Sequence, residues 1–270
     1  MENMDFEERR EELFTLLEER QIKRLRETLD DMNEFDVAEF LTELEPQQMA
    51  MVFRMLTKEQ AAEVFANLEV EEQEHIINSI TDSELAGIIE ELYVDDAVDM
   101  MEELPANVVR RVMRTATAET RSLINQYLRY PENSAGTIMT SEFVDLKKYM
   151  SVKESFARIR RIGEDKETIY VCFVISADRK LEGIVTVKDL LLADDDVIIE
   201  DLMDRNVIFA STTDDQEAVS EMFSDYDLMA MPVVDKENRL VGIVTVDDAL
   251  EVLQEEHEED LQIAGAKGLG

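Results

Sequence analysis

Cysteine is almost missing from this chain of 270 residues. The single Cys172 has no partner for an internal disulfide, which points to a reducing compartment. Tryptophan is absent and proline is scarce, at four residues. Positive charge is also in short supply: 27 Lys and Arg face 64 Asp and Glu, and a formal net charge of -37 repels a phosphate backbone, so nucleic acid is excluded as a partner. No apolar run approaches the roughly 20 residues that cross a bilayer, since stretches such as 171–175 and 190–192 are far shorter. The N-terminus, with Glu2, Asp5, Glu7 and Glu8, lacks the basic start and apolar core of a secretory signal. His75, His257 and Cys172 make no zinc set, and no phosphate loop, Gly-x-Ser-x-Gly elbow or His-Glu-x-x-His pattern occurs. The expectation is a soluble chain that is not an enzyme, with Cys172 packed in a strand.

What the chain does have is order on two length scales. Hydrophobic residues make up 45%, enough for the cores of one large domain or two ordinary ones. From residue 36 an apolar residue recurs every 12 positions: Leu44, Leu56, Leu68, Ile80, Leu92 and Leu104. Pairs such as Phe40/Leu41, Val52/Phe53, Val64/Phe65 and Ile88/Ile89 precede them by three and four, the spacing of one helix face. Pro46, Thr57, Thr81 with Asp82, and Pro105 supply helix starts between them. The pattern predicts seven short helices, the last near Val112/Met113, after one or two more within residues 6–30. Met49, Met51, Met55, Met100 and Met101 fall on repeat core positions. Arg110, Arg111, Arg114 and Arg121 then lead to Tyr130-Pro131, where the helical domain is expected to end.

From residue 139 the period changes. Leu181-Glu-Gly-Ile-Val-Thr-Val-Lys-Asp189 matches Leu240-Val-Gly-Ile-Val-Thr-Val-Asp-Asp248, and each follows an apolar run and a turn, at 174–178 and 233–237. Val- and Ile-rich runs bounded by Gly and Asp read as strand, turn, strand. Helical stretches flank each hairpin, at 152–162 and 189–192 in the first copy, and at 216–223 and 247–253 in the second. Met139-Thr140 and Met203-Asp204 open the two units. This duplicated strand-helix-strand-strand-helix unit resembles a tandem pair of CBS domains, a regulatory α/β module.

The carboxylates cluster in two places. Glu251, Glu255 and Glu259 lie at i, i+4 and i+8 beside Glu256 and Asp260, with no Lys or Arg between 251 and 260. Asp95, Asp96 and Asp99 edge a helix whose other face carries Val98, Met101 and Leu104. Like charges so spaced destabilise a helix. Two carboxylates ~4 Å apart repel by roughly 4 kcal/mol at an effective dielectric near 20. A divalent cation between them reverses the sign, and Mg²⁺, which takes oxygen ligands and keeps several waters, fits loosely spaced acids. On residue pattern alone, a solvated acidic face accounts for the same run.

The helical repeat, the junction Tyr130-Pro-Glu-Asn-Ser-Ala-Gly-Thr-Ile-Met-Thr140, the CBS pair and the acidic helix at 248–260 together resemble the cytosolic half of the MgtE family of magnesium channels. The resemblance implies a multidomain α and α/β protein. A superhelix of short α-helical repeats spans 1–130, CBS domains span 131–202 and 203–250, and an acidic connecting helix at 251–270 leads to a transmembrane domain outside this chain. It implies Mg²⁺ sites formed by Glu63, Asp95 and Asp99 with Asp215, Glu217, Asp227 and Asp248. Thr137 and Ser224 would add backbone oxygens, and Glu251, Glu256, Glu259 and Asp260 the remaining ligands. It further implies a homodimer through the CBS domains and a place on the cytoplasmic side of the cell membrane. Mg²⁺ would bridge facing carboxylates, close the N domain onto the CBS pair and gate the pore.

An adenine nucleotide such as ATP is a second candidate ligand. Thr186 and Asp189 have the Thr-x-x-Asp spacing by which CBS domains hold a ribose, and Thr245 with Asp248 repeats it. A strand-closing Thr and a helix-capping Asp give the same spacing. Val171 and Leu228 stand where stacking aromatics would. The alternative function is a nucleotide-responsive CBS adaptor that holds a partner protein.

Overall fold

The computed structural model describes residues 6–267, with side chains from Glu7 to His257. These fall into two compact units, 6–92 with Asp96–Ile124, and Tyr93–Asp95 with 125–267.

The first unit is helical. Its elements are α1 (Phe6–Glu18), α2 (Ile22–Asp30), α3 (Glu34–Thr42), α4 (Pro46–Phe53), α5 (Lys58–Ala66), α6 (Val70–Ser79), α7 (Asp82–Glu91), α8 (Val94–Glu103), α9 (Ala106–Thr115) and α10 (Ala118–Tyr127), the first residues of α8 and the last of α10 counting with the second unit. The starts follow from their chemistry. Asn33 accepts the Phe35 N–H, Pro46 opens α4, Thr57 accepts the Gln60 N–H, and Thr81 forms a reciprocal capping box with Glu84. Leu44, Leu56, Leu68, Ile80 and Leu104 are buried at or just beyond the helix ends, where each seals a turn, and Leu92 is half-buried. Helices two apart pack together, so α3, α5, α7 and α9 form one row, and α4 lies on α6.

Helices this short leave a large share of their carbonyls without an intrahelical partner. Side chains from other helices take them up. Gln60 donates to the Leu29 carbonyl (2.8 Å), Gln73 to Phe65 (3.1 Å), Arg54 to Ser79 (2.7 Å) and Arg111 to Ile80 (2.7 Å) and Ile77.

Two expectations need correction. A further helix, α10, follows the seven, because Ile124 and Tyr127 supply a buried face that the arginines at 110–121 obscure in the sequence, while Thr117 caps it by accepting the Thr120 N–H. Met51 is exposed at 42%, whereas Met49, Met100 and Met101 are buried.

The second unit holds the duplicated α/β element. A short α11 (Ala135–Ile138) precedes β1 (Phe143–Leu146), α12 (Val152–Ile162), β2 (Thr168–Ile175), β3 (Leu181–Thr186) and α13 (Val187–Leu192). The second copy runs α14 (Ile199–Leu202), β4 (Ala210–Ser211), α15 (Gln216–Tyr226), β5 (Ala230–Val234), β6 (Leu240–Thr245) and α16 (Val246–Lys267). Each sheet has three strands, the first parallel and the last antiparallel to the middle one. Val171 pairs with Thr186 as Ala230 pairs with Thr245, so the copies share one register. Alternation along β2 sends Cys172 and Val174 into a core under α12, and Val171, Phe173 and Ile175 into one shared with Ala230, Leu240 and Ile243 of the second copy.

The copies also exchange their opening segments. Thr140 bridges to Ile243 and Asp204 to Ile184. Each exchange passes over a glycine: a Cβ on Gly242 would lie 2.6 Å from the Met139 sulfur, and one on Gly183 would lie 2.9 Å from that of Met203. The last helix, α16, runs unbroken from the end of β6 through residue 250. Among the described residues no helix is long and apolar enough to cross a membrane.

Candidate metal centre

Among the described residues one set of three carboxylates lies close enough to share an ion. Asp95, Glu167 and Asp248 each present an oxygen, all within 4.8 Å of one another. Asp95 is buried at 5% exposure and the other two are half-buried. Their positions follow from the chain. Asp95 is in the first turn of α8, Asp248 is in the first turn of α16, and Glu167 immediately precedes β2, its N–H donating to the Glu142 carbonyl at 3.1 Å. Thr245, at the end of β6, donates its hydroxyl proton to Asp248 Oδ2 at 2.6 Å and lies 3.3 Å from Glu167 Oε1.

Magnitudes decide what the set is fit for. A helix N-terminus favours a carboxylate by about 0.3–1 kcal/mol. Two charges 4.8 Å apart, the widest separation the set allows, repel by about 3.5 kcal/mol at an effective dielectric of 20. Repulsion among the three exceeds the dipole term, and a small divalent cation between them would reverse its sign. The donors are all oxygens, which suits Mg²⁺ or Ca²⁺ and disfavours metals that prefer nitrogen or sulfur. The negative field reaches Tyr127, whose phenol is pushed well above its ordinary pKa by burial, with the charges of Asp95 and Glu142 adding to the rise.

Asp95 and Asp248, both expected as ligands, are thus brought together, and Glu167 joins them unexpectedly. It sits in a mixed run, Glu164-Asp165-Lys166-Glu167, that has no helical period, and Lys166 pairs with Glu142 at 2.8 Å. The one signal available was asymmetry between the copies: aligned through Thr186 and Thr245, Glu167 matches Tyr226.

The other expected residues lie elsewhere on their elements. Asp99 is exposed one turn along α8 from Asp95. Glu63 is exposed on α5, its carboxyl shifted upward by partial burial and by the charge of Glu34. Thr137 is buried in α11 and donates its hydroxyl to the Ser134 carbonyl at 2.8 Å. Asp215 caps α15 by accepting the Ala218 N–H, and exposed Glu217 follows it. Exposed Ser224 and Asp227 are at the other end, Asp227 in the left-handed conformation. At 1.5 Å per residue the two ends of α15 are ~16 Å apart, so those four residues cannot share one ion. Glu251 is exposed and Glu256 half-buried on α16, while the side chains of Glu259 and Asp260 lie outside the described residues. Thr186 and Asp189 satisfy each other, the Thr186 hydroxyl accepting the Asp189 N–H (3.1 Å) and the Asp189 carboxylate the Thr186 N–H (3.0 Å).

Comparison with known proteins identifies the domains. Residues 32–133 match the MgtE intracellular N domain, and 135–196 and 199–255 each match the CBS domain. Over 147 residues, 54% of the chain, it is 42% identical to the magnesium transporter MgtE of Thermus thermophilus, covering 33% of that protein. A crystal structure of the cytosolic domain of the Mg²⁺ channel MgtE in complex with ATP is 36% identical, with a TM-score of 0.83 over 89% of this chain and 98% of that one. The soluble part of a magnesium transporter superposes at 0.88, with 29% identity over 93% and 99%. The chain spans between 32% and 59% of the length of three magnesium transporters that it matches. With the helical N domain and both CBS domains matched in order, the chain belongs to the MgtE family.

Proposed function

We propose that this chain is the regulatory region of a magnesium transporter and that it senses Mg²⁺ through carboxylates. One observation carries the reading: Asp95, Glu167 and Asp248 converge within 4.8 Å. Asp95 lies in the first turn of α8, whose later turns belong to the helical unit, whereas Glu167 and Asp248 belong to successive CBS repeats. An ion held by all three draws the helical N domain (1–130) and the CBS domains (131–202 and 203–250) together. When Mg²⁺ is scarce, carboxylate repulsion favours separation, and the ion shifts that balance by binding the closed form better. The acidic helix of residues 251–270 passes the shift to a membrane domain in the longer protein, at the cytoplasmic side of the cell membrane. Further Mg²⁺ ligands, at sites separate from that set, are assigned to Asp99, Glu63, Asp215, Glu217, Asp227, Glu251, Glu256, Glu259 and Asp260, with the backbone oxygens of Thr137 and Ser224. The exposed Leu191, Leu192 and Leu250 on CBS helices supply apolar surface for a homodimer.

Calorimetric titration with Mg²⁺ tests the reading. Asp248→Asn and Glu167→Gln each weaken the tightest binding about tenfold or more, since each removes an anionic ligand. Unchanged isotherms in both variants sink the proposal. A second reading, nucleotide sensing, is supported by the ATP complex of the similar channel domain and by the Thr186–Asp189 pair. Tight ATP binding with no response to Mg²⁺ favours it.

A further inference from the structure

We propose that the cleft between the hairpin turns of the two CBS repeats binds a small soluble polyphosphate, held by Arg179, Lys180 and Arg239. The turns, at 176–180 and 235–239, are joined by a bridge between Lys180 and Arg239 and by the Leu240 N–H, which donates to the Arg179 carbonyl at 2.9 Å. A cleft of about 600 Å³ lies at this junction, a size usual for small-molecule sites. Ala177 lines it with five charged residues, the three cations and the carboxylates Asp178 and Glu237. Such a lining suits a charged ligand and gives an apolar one little to bury against. The strands β3 and β6 each span six residues, so the turns lie ~16 Å along them from Thr186 and Thr245. The cleft is therefore distinct from the Thr186–Asp189 pair and from the carboxylate set.

The three cationic heads are anchored and still have donors to spare. Arg239 is 2.8 Å from Asp235 through Nε but 3.6 Å from Glu237, Lys180 stands 3.6 Å from Asp178, and Arg179 donates to the Leu240 carbonyl at 3.3 Å. Charge-assisted N–H···O bonds run about 2.7–2.9 Å, so the pairs at 3.6 Å are loose and can yield to a phosphate. A guanidinium carries several N–H donors in a fork that matches phosphate oxygens two at a time. Arg179 marks the site in a second way. Aligned through Thr186 and Thr245, it matches Asn238, and both positions have positive φ, 67° and 61°. Asparagine is an ordinary occupant of the left-handed region and arginine is not. The turn itself does not call for Arg179, and the one side-chain hydrogen bond it makes among the described residues is the long one to Leu240. The net charge of the chain does not forbid a small anion here, since charges farther than about 8 Å are largely screened at physiological ionic strength. An extended anionic bilayer, by contrast, meets carboxylates over a whole face, which favours a soluble ligand.

The test is calorimetry of the full 270-residue chain with inorganic pyrophosphate in EDTA, so that no metal takes part, with thermal unfolding run alongside. Arg179→Asn installs the residue that the second turn uses, keeping the turn and losing the guanidinium. That variant and Lys180→Gln are each expected to bind pyrophosphate at least about tenfold more weakly than the parent, the loss usual for a charged hydrogen bond. Lys23→Gln, at a side chain 91% exposed on α2, is expected to bind within about threefold of the parent, as screened surface charges contribute little. A parent that does not bind pyrophosphate, an Arg179→Asn chain that binds like the parent, or an equal loss in Lys23→Gln overturns the assignment. Should Arg179→Asn show no unfolding transition, Lys180→Gln decides alone by the same tenfold mark. Co-sedimentation of the parent with phosphatidylglycerol vesicles in place of pyrophosphate binding, lost in Arg179→Asn, would give the cleft to a lipid headgroup and overturn the soluble ligand.

Discussion

Glu63 and Glu84 lie on packed neighbours, α5 and α7, and their carboxyls are displaced in opposite directions. Partial burial, then the charge of Glu34, pushes Glu63 above the ordinary value of 4.5. The Thr81 N–H and hydroxyl, with Arg54, hold Glu84 below it against a small opposing effect of burial. A carboxyl raised in the folded state binds its proton more tightly there than in the unfolded chain. Its contribution is therefore most favourable below 4.5 and is lost as pH rises through the folded value. A lowered carboxyl contributes stability above 4.5 that is lost as pH falls through its folded value. Glu63→Gln is thus expected to raise the thermal midpoint at pH 7 and Glu84→Gln to lower it, both differences narrowing at pH 4. Scans at the two pH values check the signs, and a Glu63→Gln chain less stable at pH 7 contradicts the argument. Cys172 gives a simpler expectation: fully buried, with its thiol pushed up to about 12 by burial, it resists a disulfide reagent until the chain is denatured. Its burial was legible in a run of Val and Ile, whereas the role of Glu167 was not, because local pattern does not report a contact made 78 residues away with Thr245.

The elements were far more legible than the contacts between them. Caps such as Thr57 and Thr81 and the 12-residue apolar period act within one turn of chain, so they can be read locally. The helix α10 was hidden because only Ile124 and Tyr127 of it are buried, spaced among charged and polar residues. Long-range carbonyl capping left no local trace at all. Arg111 is the clearest case: its guanidinium spans the Ile77 and Ile80 carbonyls at the end of α6 and the Asp82 carboxylate (2.9 Å) at the start of α7. Arg111→Ala leaves part-buried acceptors unpaired and is expected to cost about 2 kcal/mol. Arg111→Lys recovers less than half of that, since one ammonium cannot span the three acceptors that a planar fork reaches. Urea unfolding measures both, and full rescue by lysine contradicts the account. In the CBS pair the vulnerable point is Gly242, where a Cβ meets both the Met139 sulfur and, at 2.9 Å, the Thr140 carbonyl. Methionine can yield, but the Thr140 backbone is held by its bridge to Ile243. Gly242→Ala is expected to destabilise by about 1–3 kcal/mol, the usual cost of overpacking.

A chain with formal charge -37 works against its own compactness, and the two ways of relieving that repulsion differ in range. Monovalent salt screens charges separated by more than about 8 Å at physiological strength, but does little for carboxylate oxygens within 4.8 Å of one another. A divalent cation acts at that short range, by coordination. Small-angle scattering at constant 0.15 M ionic strength is therefore expected to show the radius of gyration falling as Mg²⁺ replaces NaCl over roughly the low millimolar range, beyond what screening explains. The variant with Asp95→Asn, Glu167→Gln and Asp248→Asn combined separates coordination from screening. It removes three mutually repelling charges, so its radius without Mg²⁺ is expected to be no larger than that of the parent, and its response to Mg²⁺ is expected to be lost. A parent radius that follows ionic strength alone, or a triple variant that still contracts with Mg²⁺ as the parent does, would assign the contraction to diffuse charge and remove the three carboxylates from the proposed Mg²⁺ response.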